Sequence, residues 1–463
     1  MLHLLEVRDF KAIGPQATRL ALAPLTVIVG PSGSGKSSLL QALALTAQSA
    51  VEDRTRHDLV LAGQRVSVPG EVDELYCGAA ASMSVRVDAD ASSPGAFPAV
   101  RPRALQDARE WPPRSIGYEW RRERLRDRGA FSASWSHRYF IDDRCAVEHC
   151  TQEEARRTHR LLTLPLARGR RADALETHAD EKVLGDIRDP GTAEERLRTL
   201  FDPVWPIIQT LRAQMSAAFE RISSLWSIRG NELIARETGP RIRTVGTHGE
   251  QTLRLLAALE SRTNPAMDQL RQWCERFALP KLDSGTIQAN ELRAVFVDPI
   301  TGKTVDLHHA ASGGVQGLII ATQVLLAPAG STLLVEEPEC NMHPRLEQML
   351  PQLFADALAL GQQIISTTHS EILLAALGNA VRSKRIDRDH VAVYELQRTE
   401  ERGTEALPIP IDDRGYLKGW IRSYAEVQEA LFQDWARELP EERPRPRARQ
   451  PRARGGGSRR EKP

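Results

Sequence analysis

Cysteine is scarce in this chain, and the five present, Cys77, Cys145, Cys150, Cys274 and Cys340, are odd in number and scattered. That pattern argues against a disulfide framework and points to a reducing, cytoplasmic compartment. Cys145, His149 and Cys150 have no second pair to complete a four-ligand zinc site. The amino terminus lacks the uncharged run of a secretory leader, because Glu6, Arg8, Asp9 and Lys11 interrupt it. Long apolar spans are missing too. Residues 311–335 carry no charge, but Gly313, Gly314, Gln316, Gln323, Pro328 and Gly330 divide them into a loop, a helix, a turn and a strand, so no membrane segment is expected. Net charge is almost absent, +1 over 463 residues, with 41% hydrophobic and 27% charged residues. This is the composition of a soluble globular chain with either one large composite domain or two smaller ones.

What the chain does contain is GPSGSGKS at 30–37. LTVIV at 25–29 precedes it as a β-branched apolar strand, and SSLLQALALTAQ follows with helical composition and a Leu/Ala face. Strand, glycine loop and helix in that order make a phosphate-binding loop. Gly30, Gly33 and Gly35 let the backbone curl so that successive amides of Gly30, Pro31, Ser32, Gly33, Ser34, Gly35, Lys36, Ser37 and Ser38, proline excepted, surround one phosphate at a helix N-terminus. In such a loop Lys36 reaches the β- and γ-phosphates and the Ser37 hydroxyl binds a magnesium ion. The ligand expected is therefore ATP with Mg2+.

STLLVEEPE at 331–339 supplies the acidic partner. Leu333, Leu334 and Val335 form a short buried strand with Glu336 and Glu337 at its carboxyl end, where ligands bind in open α/β sheets. Because side chains alternate along a strand, the two acids are expected to divide the work, Glu336 holding magnesium and Glu337 polarising the attacking water. The phosphate loop and the two glutamates are expected to converge across adjoining strands.

The ordered motifs resemble the ABC-type ATPase heads of the RecF, SMC and OLD (overcoming lysogenization defect) group, especially the AAA-family ATPases described as "AAA domain, putative ABC transporter type". LHLLEVRDFKAIGP at 2–15 is similar to their opening strand, VEEPECNMHP at 335–344 to their Walker B and D-loop segment, and STTHS at 366–370 to their switch-histidine strand. ASGGVQ at 311–316 stands in the place of their signature motif. VGTHGEQTLRLLAAL at 245–259 and IDDRGYLKGWIRSYAEVQEAL at 411–431 extend the likeness over most of residues 1–425. There are departures: Glu336 replaces a frequent Asp, the signature is not Leu-led, and Cys340, Asn341 and Met342 replace the usual Leu-His-Leu.

The resemblance implies an α/β P-loop NTPase of ABC-ATPase type, a mixed sheet flanked by helices with an antiparallel β lobe and a helical insertion. It also implies catalytic roles for Glu337, His369 and Lys36, with His369 registering the γ-phosphate. Ser312, Gly313 and Gly314 would precede a helix and form a second positive helix end. In a head-to-tail homodimer Ser312 of one subunit would complete the other's site. Gln64 is the nearest match to the family's Q-loop glutamine. Phe10 and Lys11 read as a surface turn, with approach to the adenine as the alternative.

About 270 residues separate the phosphate loop from the signature, which requires an insertion. Residues 82–90, 115–120 and 131–143 read as antiparallel strands, and from about 150 the pattern becomes helical. After Pro203, apolar residues at Val204, Ile208, Leu211, Met215, Phe219, Ile222 and Leu225 follow helical spacing, and a further helix pair spans 249–277. The division expected is 1–150 and 281–431 for the two parts of the ATPase head, 151–280 for a helical insertion too short for a coiled-coil arm, and 432–463 for a disordered tail. Residues 443–463 hold eight Arg and one Lys against one Glu, so the tail is strongly basic while the remainder is acidic. Such an arm can hold a phosphate backbone without reading sequence, or can be solvated without a partner.

Three uses of ATP compete at this stage. The favoured one is regulation of a separate effector, a nuclease or toxin, in a bacterial anti-phage defence or toxin-type module. No room for a Toprim-type nuclease follows residue 431. A RecF-like DNA repair or DNA-clamping ATPase is the alternative. The nucleotide-binding subunit of a transporter is disfavoured by the long insertion and by the EEPE and STTHS patterns.

Overall fold

Leu25–Val29 offers no polar face to water, and all five residues are buried in the middle of a sheet. The computed structural model describes residues 1–52, 59–91, 113–127, 130–154, 157–163, 205–226, 235–236, 244–260, 265–288, 291–399, 403–418 and 430–434, and that strand lies inside its six-stranded sheet. The chain forms two units, Met1–Gly419 and Trp420–Pro463. Of the second unit, residues 430–434 are described, as a short helical stretch with Leu431 and Phe432 exposed. The basic run from 443 onward and residues 164–204 lie outside the described residues.

The first unit opens with strands β1 (Leu2–Arg8), β2 (Thr18–Ala21) and β3 (Leu25–Val29), then helix α1 (Lys36–Glu52). Strands β4 (Ser82–Asp90), β5 (Ser115–Asp127), β6 (Ala130–Ile141), β7 (Arg144–Glu154) and β8 (Arg157–Thr163) follow. Helix α2 (Trp205–Glu220) leads into β9 (Ile222–Leu225), and then come β10 (Ala235–Arg236), α3 (Thr252–Glu260), α4 (Pro265–Arg276), β11 (Asp283–Gln288), β12 (Glu291–Val297) and β13 (Thr304–Asp306). The remaining elements are α5 (Ser312–Leu326), β14 (Thr332–Glu336), α6 (Pro344–Glu347), α7 (Leu350–Ala359), β15 (Gln363–Thr367), α8 (Glu371–Arg382), β16 (Val391–Thr399) and β17 (Gly403–Pro408).

The central sheet has the order β17-β16-β3-β15-β14-β9. Every pairing in it is parallel except the β16–β17 hairpin. An antiparallel sheet, β2-β1-β4-β5-β6-β7-β8, forms the lobe, and β10-β12-β11, with β13 on β12, forms a third sheet. This is the α/β P-loop architecture with an antiparallel lobe. Among the described residues no helix is long and apolar enough to cross a membrane.

Three expectations about local structure change. The chain does not turn helical near 150: β7 runs to Glu154 and pairs with β8 over Glu148–Glu154. Ile222 and Leu225 continue the helical spacing of α2 yet lie in β9, which pairs with β14 from Ile222 beside Thr332 to Leu225 beside Val335. Four residues are too few for spacing to separate the two periods, and the open edge of β14 supplies the backbone partners that decide it. The strands carrying the phosphate loop and the paired glutamates are not adjoining, because β15 lies between β3 and β14.

In one apolar cluster of the core, Leu39, Leu40 and Leu43 of α1 join Leu5 and Val7 of β1, Met83 and Val85 of β4, Phe219 of α2, and Leu334 and Ile365 of the central sheet. Burying residues of this size contributes about 1.5–3 kcal/mol each before the entropy of ordering them is counted. Two buried glutamines tie backbone across elements. Gln363 accepts from Leu2 N at 3.0 Å and Thr332 Oγ1 at 3.1 Å, and donates to Leu2 O at 2.7 Å and Ala23 O at 3.1 Å. It thereby fastens the first strand of the lobe to the central sheet. Gln48 of α1 does the same for the segment after it, donating to Val60 O and Val66 O and accepting from the amides of Arg65 and Val66.

Candidate functional site

The chain leaves β3 at Val29 and enters α1 at Lys36, and the glycines between explain how so short a connection is possible. Gly30 has φ +146°, and a Cβ there would come 2.6 Å from Leu396 O of β16; Gly35 has φ +103° and packs on Ile13 and Thr404. Gly30 excludes a side chain on conformation and on space, and Gly35 disfavours one on conformation. The β16–β17 hairpin also holds the loop by polar contacts. Thr404 Oγ1 donates to Ser34 O at 2.9 Å, and Arg398 Nη1 reaches Gly33 O at 3.5 Å. Ser34 and Ser38 are buried, Ser37 is half-buried, and Pro31, Ser32 and Gly33 are exposed along the loop's outer rim.

Lys36 is buried, and its Nζ donates to Gly30 O at 2.9 Å and Pro31 O at 3.0 Å. Burial draws its pKa below the usual lysine range, and the carboxylates of Glu337, Glu336 and Glu339 oppose that shift. Lysine and acids therefore share one electrostatic neighbourhood although they enter it from strands on either side of β15.

The acids are separated by a turn, not by strand alternation. Glu336 is the last residue of β14, whereas Glu337 has left the strand and has φ +44°. Its amide donates to Thr367 O and Thr367 Oγ1, each at 3.2 Å, which holds this left-handed conformation at the end of β15. Glu337 Oε1 lies 3.2 Å from His369 Nε2, and the Cys340 thiol donates to Oε2 at 3.5 Å. Although a carboxylate faces it, His369 has its pKa lowered, because burial and the nearby Lys36 cation outweigh Glu337. Its imidazole is neutral at neutral pH, with the Nε2–H donating.

Two residues overlooked from the sequence complete this corner. Glu339 Oε1 accepts from Thr368 Oγ1 at 2.6 Å and from the His369 amide at 2.8 Å. Gln316 Nε2 donates to Pro338 O at 2.8 Å. A third acid after the apolar strand, and the glutamine closing ASGGVQ, were the available signals.

Ser312, Gly313 and Gly314 do not precede the helix; they are its first turn, after Ala311 in the cap position. No side chain caps this end, and Ser312 is exposed. The two glycines have packing reasons within the chain. A Cβ on Gly313 would lie 2.8 Å from Asn341 O, and one on Gly314 would lie 2.7 Å from Phe277 O. This turn is thus seated on the segment that follows Glu339 and on the end of α4 at Phe277.

Phe10 is not a surface residue. It is fully buried and bridges to Tyr76, since an aromatic beside Leu75 and Ile13 removes more apolar area from water inside than outside. Lys11 has φ +51° and its Nζ donates to Gln41 Oε1 at 2.6 Å. Gln64 sits exposed on the turn closed by the Ala62–Ser67 bridge. Of Cys145, His149 and Cys150, only the strand placement in β7 is described for the last two. No group of three or more His, Cys, Asp or Glu disposed to hold a metal is found among the described residues.

Residues 207–375 match the family described as "AAA domain, putative AbiEii toxin, Type IV TA system". The matched span contains the signature helix, Glu336, Glu337 and His369, and stops short of the phosphate loop. No curated protein matches the chain. Among solved structures, the SMC head bound to the C-winged helix domain of ScpA is 13% identical, with 89% of this chain and 98% of that chain covered and a TM-score of 0.44. The SMC head domain from Thermotoga maritima is 12% identical over 89% of this chain and 99% of that one, with a TM-score of 0.39. The Smc head domain with an extended coiled coil, bound to the C-terminal domain of ScpA and derived from Pyrococcus furiosus, is 12% identical over 93% and 99%, with a TM-score of 0.40. The family match covers residues 207–375 alone, and the phosphate loop lies outside it, after β3 of the same central sheet.

Proposed function

We propose that the chain binds ATP with magnesium at residues 30–38, hydrolyses it with Glu337 as general base, and uses the nucleotide cycle of a head-to-tail dimer to control a separate effector protein. The observation that carries the catalytic part is the meeting of the Lys36 cation with Glu336 and Glu337, with His369 Nε2 at 3.2 Å from Glu337 Oε1. A desolvated lysine at a helix start faces the triphosphate, and a carboxylate oriented by a neutral imidazole faces the water that attacks it.

The donor set fits magnesium. Glu336 and the Ser37 hydroxyl are hard oxygen donors, and one carboxylate with one hydroxyl suits an ion that takes its other ligands from phosphates and water. When bound, the ion neutralises charge developing on the phosphate oxygens. The chain's own groups do the remaining work. Lys36 exchanges the Gly30 and Pro31 carbonyls for phosphate oxygens, the loop amides hold the β-phosphate, and Glu337 takes the proton of the attacking water.

The dimer reading draws on Ser312, which stands exposed at an uncapped helix start suited to an anion from outside its own chain. The regulatory reading, with a nuclease or toxin as effector in a defence module, draws on the family description over residues 207–375. Calorimetry with Mg-ATP and steady-state hydrolysis test the proposal. Lys36→Ala should abolish the binding heat, and Glu337→Gln should bind ATP, turn over on the order of 10²–10⁴-fold more slowly and accumulate as a dimer. Wild-type turnover in Glu337→Gln would remove the assignment of the base. Co-purification from the native host checks the effector, and recovery of the chain with no nuclease or toxin would count against that part.

A further inference from the structure

Within VEEPE the third carboxylate has no place in the scheme above, yet it makes the tightest side-chain contacts in the corner. Glu339 Oε1 receives two donors, the Thr368 hydroxyl at 2.6 Å and the His369 amide at 2.8 Å, while Oε2 is buried with no hydrogen-bond partner among the described residues. Thr368 is itself fully buried; its amide donates to Ile28 O of β3, and its hydroxyl accepts from the Ser370 amide at 2.9 Å. On its other side the Glu339 carbonyl accepts from Met342 N at 2.9 Å, inside the segment that packs against Gly313.

We infer that Glu339 is a positioning residue for hydrolysis, holding the His369 loop so that the imidazole meets Glu337. The inference rests on the reading of Glu337 as the base. A closed circuit supports it. Glu337 contacts the His369 ring, the His369 backbone contacts Glu339, and Glu339 returns to Glu337 through Pro338, whose carbonyl Gln316 holds at 2.8 Å. Ring and backbone of His369 are thus each tied to one of two glutamates two residues apart. A carboxylate is suited to this because one charged oxygen accepts two donors more strongly than a neutral one does. Keeping a carboxylate beside Glu336 and Glu337 carries an electrostatic penalty, and burial and Glu337 both act to raise its pKa.

The test uses the full chain and compares Glu339→Ala, Glu339→Gln and Thr368→Val, each alone and with His369→Ala. Glu339→Ala should lower kcat by on the order of 10–100-fold, the range produced by small misplacement of a reacting group, with KM and ATP affinity within about threefold of wild type. Glu339→Gln, which keeps an acceptor oxygen, should recover most of that rate. Combined with His369→Ala, Glu339→Ala should add almost nothing, because both act through one contact. Thr368→Val removes a donor without touching the acid, keeps near-native volume, and should lower kcat several-fold; it serves if Glu339→Ala fails to fold. Unchanged kcat in Glu339→Ala or Thr368→Val, an equal loss of affinity, a full additional loss on top of His369→Ala, or a Gln variant as slow as Ala would each overturn the inference. Glu337→Gln is the separate control: normal turnover there sinks the base assignment, whereas the His369 cycle reports on Glu339 alone.

Discussion

The His369 ring nitrogen Nε2 approaches Glu337 Oε1 to 3.2 Å, and it does so as a neutral imidazole. The sign of its pH dependence follows. Burial first and Lys36 second lower the pKa of His369 in the fold, while the unfolded chain titrates near the ordinary value of about 6.5. Between those two values the unfolded state holds more protons, so this group makes stability rise with pH through the window and leaves it flat above. In urea denaturation between about pH 5 and 7, His369→Asn should therefore lose less stability on acidification than wild type.

Gly313 tests the seat of the signature helix. An alanine methyl would meet Asn341 O at 2.8 Å and Met342 Cα at 3.0 Å, both backbone atoms that cannot swing aside. Gly313→Ala should destabilise by about 1–3 kcal/mol and slow hydrolysis more than it weakens ATP binding. Denaturation midpoints and single-turnover kinetics check the two halves.

Cys340 is exposed but should be a poor nucleophile. Burial of its sulfur, followed by the Glu337 carboxylate, pushes the thiol up to about 11. Compared with a free cysteine, alkylation by iodoacetamide near neutral pH should be slower by on the order of a hundredfold. Glu337→Gln removes the opposing charge and should speed it. Peptide-level mass spectrometry of the Cys340 peptide reads both rates.

Gln363 tests the joint between the lobe and the central sheet. Gln363→Leu keeps the volume but leaves Leu2 N, Leu2 O and Ala23 O without the partners described above. Loss of about 2–4 kcal/mol is expected in chemical denaturation. Full retention of stability would mean that water replaces the amide.

The parts of the site legible in the sequence are those set by local chemistry. Gly30, Gly33 and Gly35 stand at positive φ between a wholly buried strand and a helix, as their spacing predicts. Glu336 ends β14 because an apolar run of that length makes a strand. What could not be read depends on contacts distant in the chain. That β15 separates β3 from β14 is a matter of topology, and no pattern within STTHS states it. The positive φ of Glu337 is held by Thr367, thirty residues later, so strand alternation does not govern the relation between the two acids. On pattern alone Ser312 to Gly314 precede the apolar helix, yet they form its first turn, where Asn341 and Phe277 leave no room for side chains at the two glycines. Phe10 reads as a turn residue from its neighbours, whereas its partner Tyr76 lies beyond any local window.

The position of β15 constrains how a nucleotide signal can leave this site. Hydrogen bonds to β3 on one edge and β14 on the other lock the strand against sliding, since a one-residue slip would unmatch both neighbours at once. If the proposed nucleotide cycle operates, its signal leaves by the hydrogen bonds beyond Thr367, where Glu339 holds Thr368 and the His369 amide and Ser370 caps α8 through Leu373.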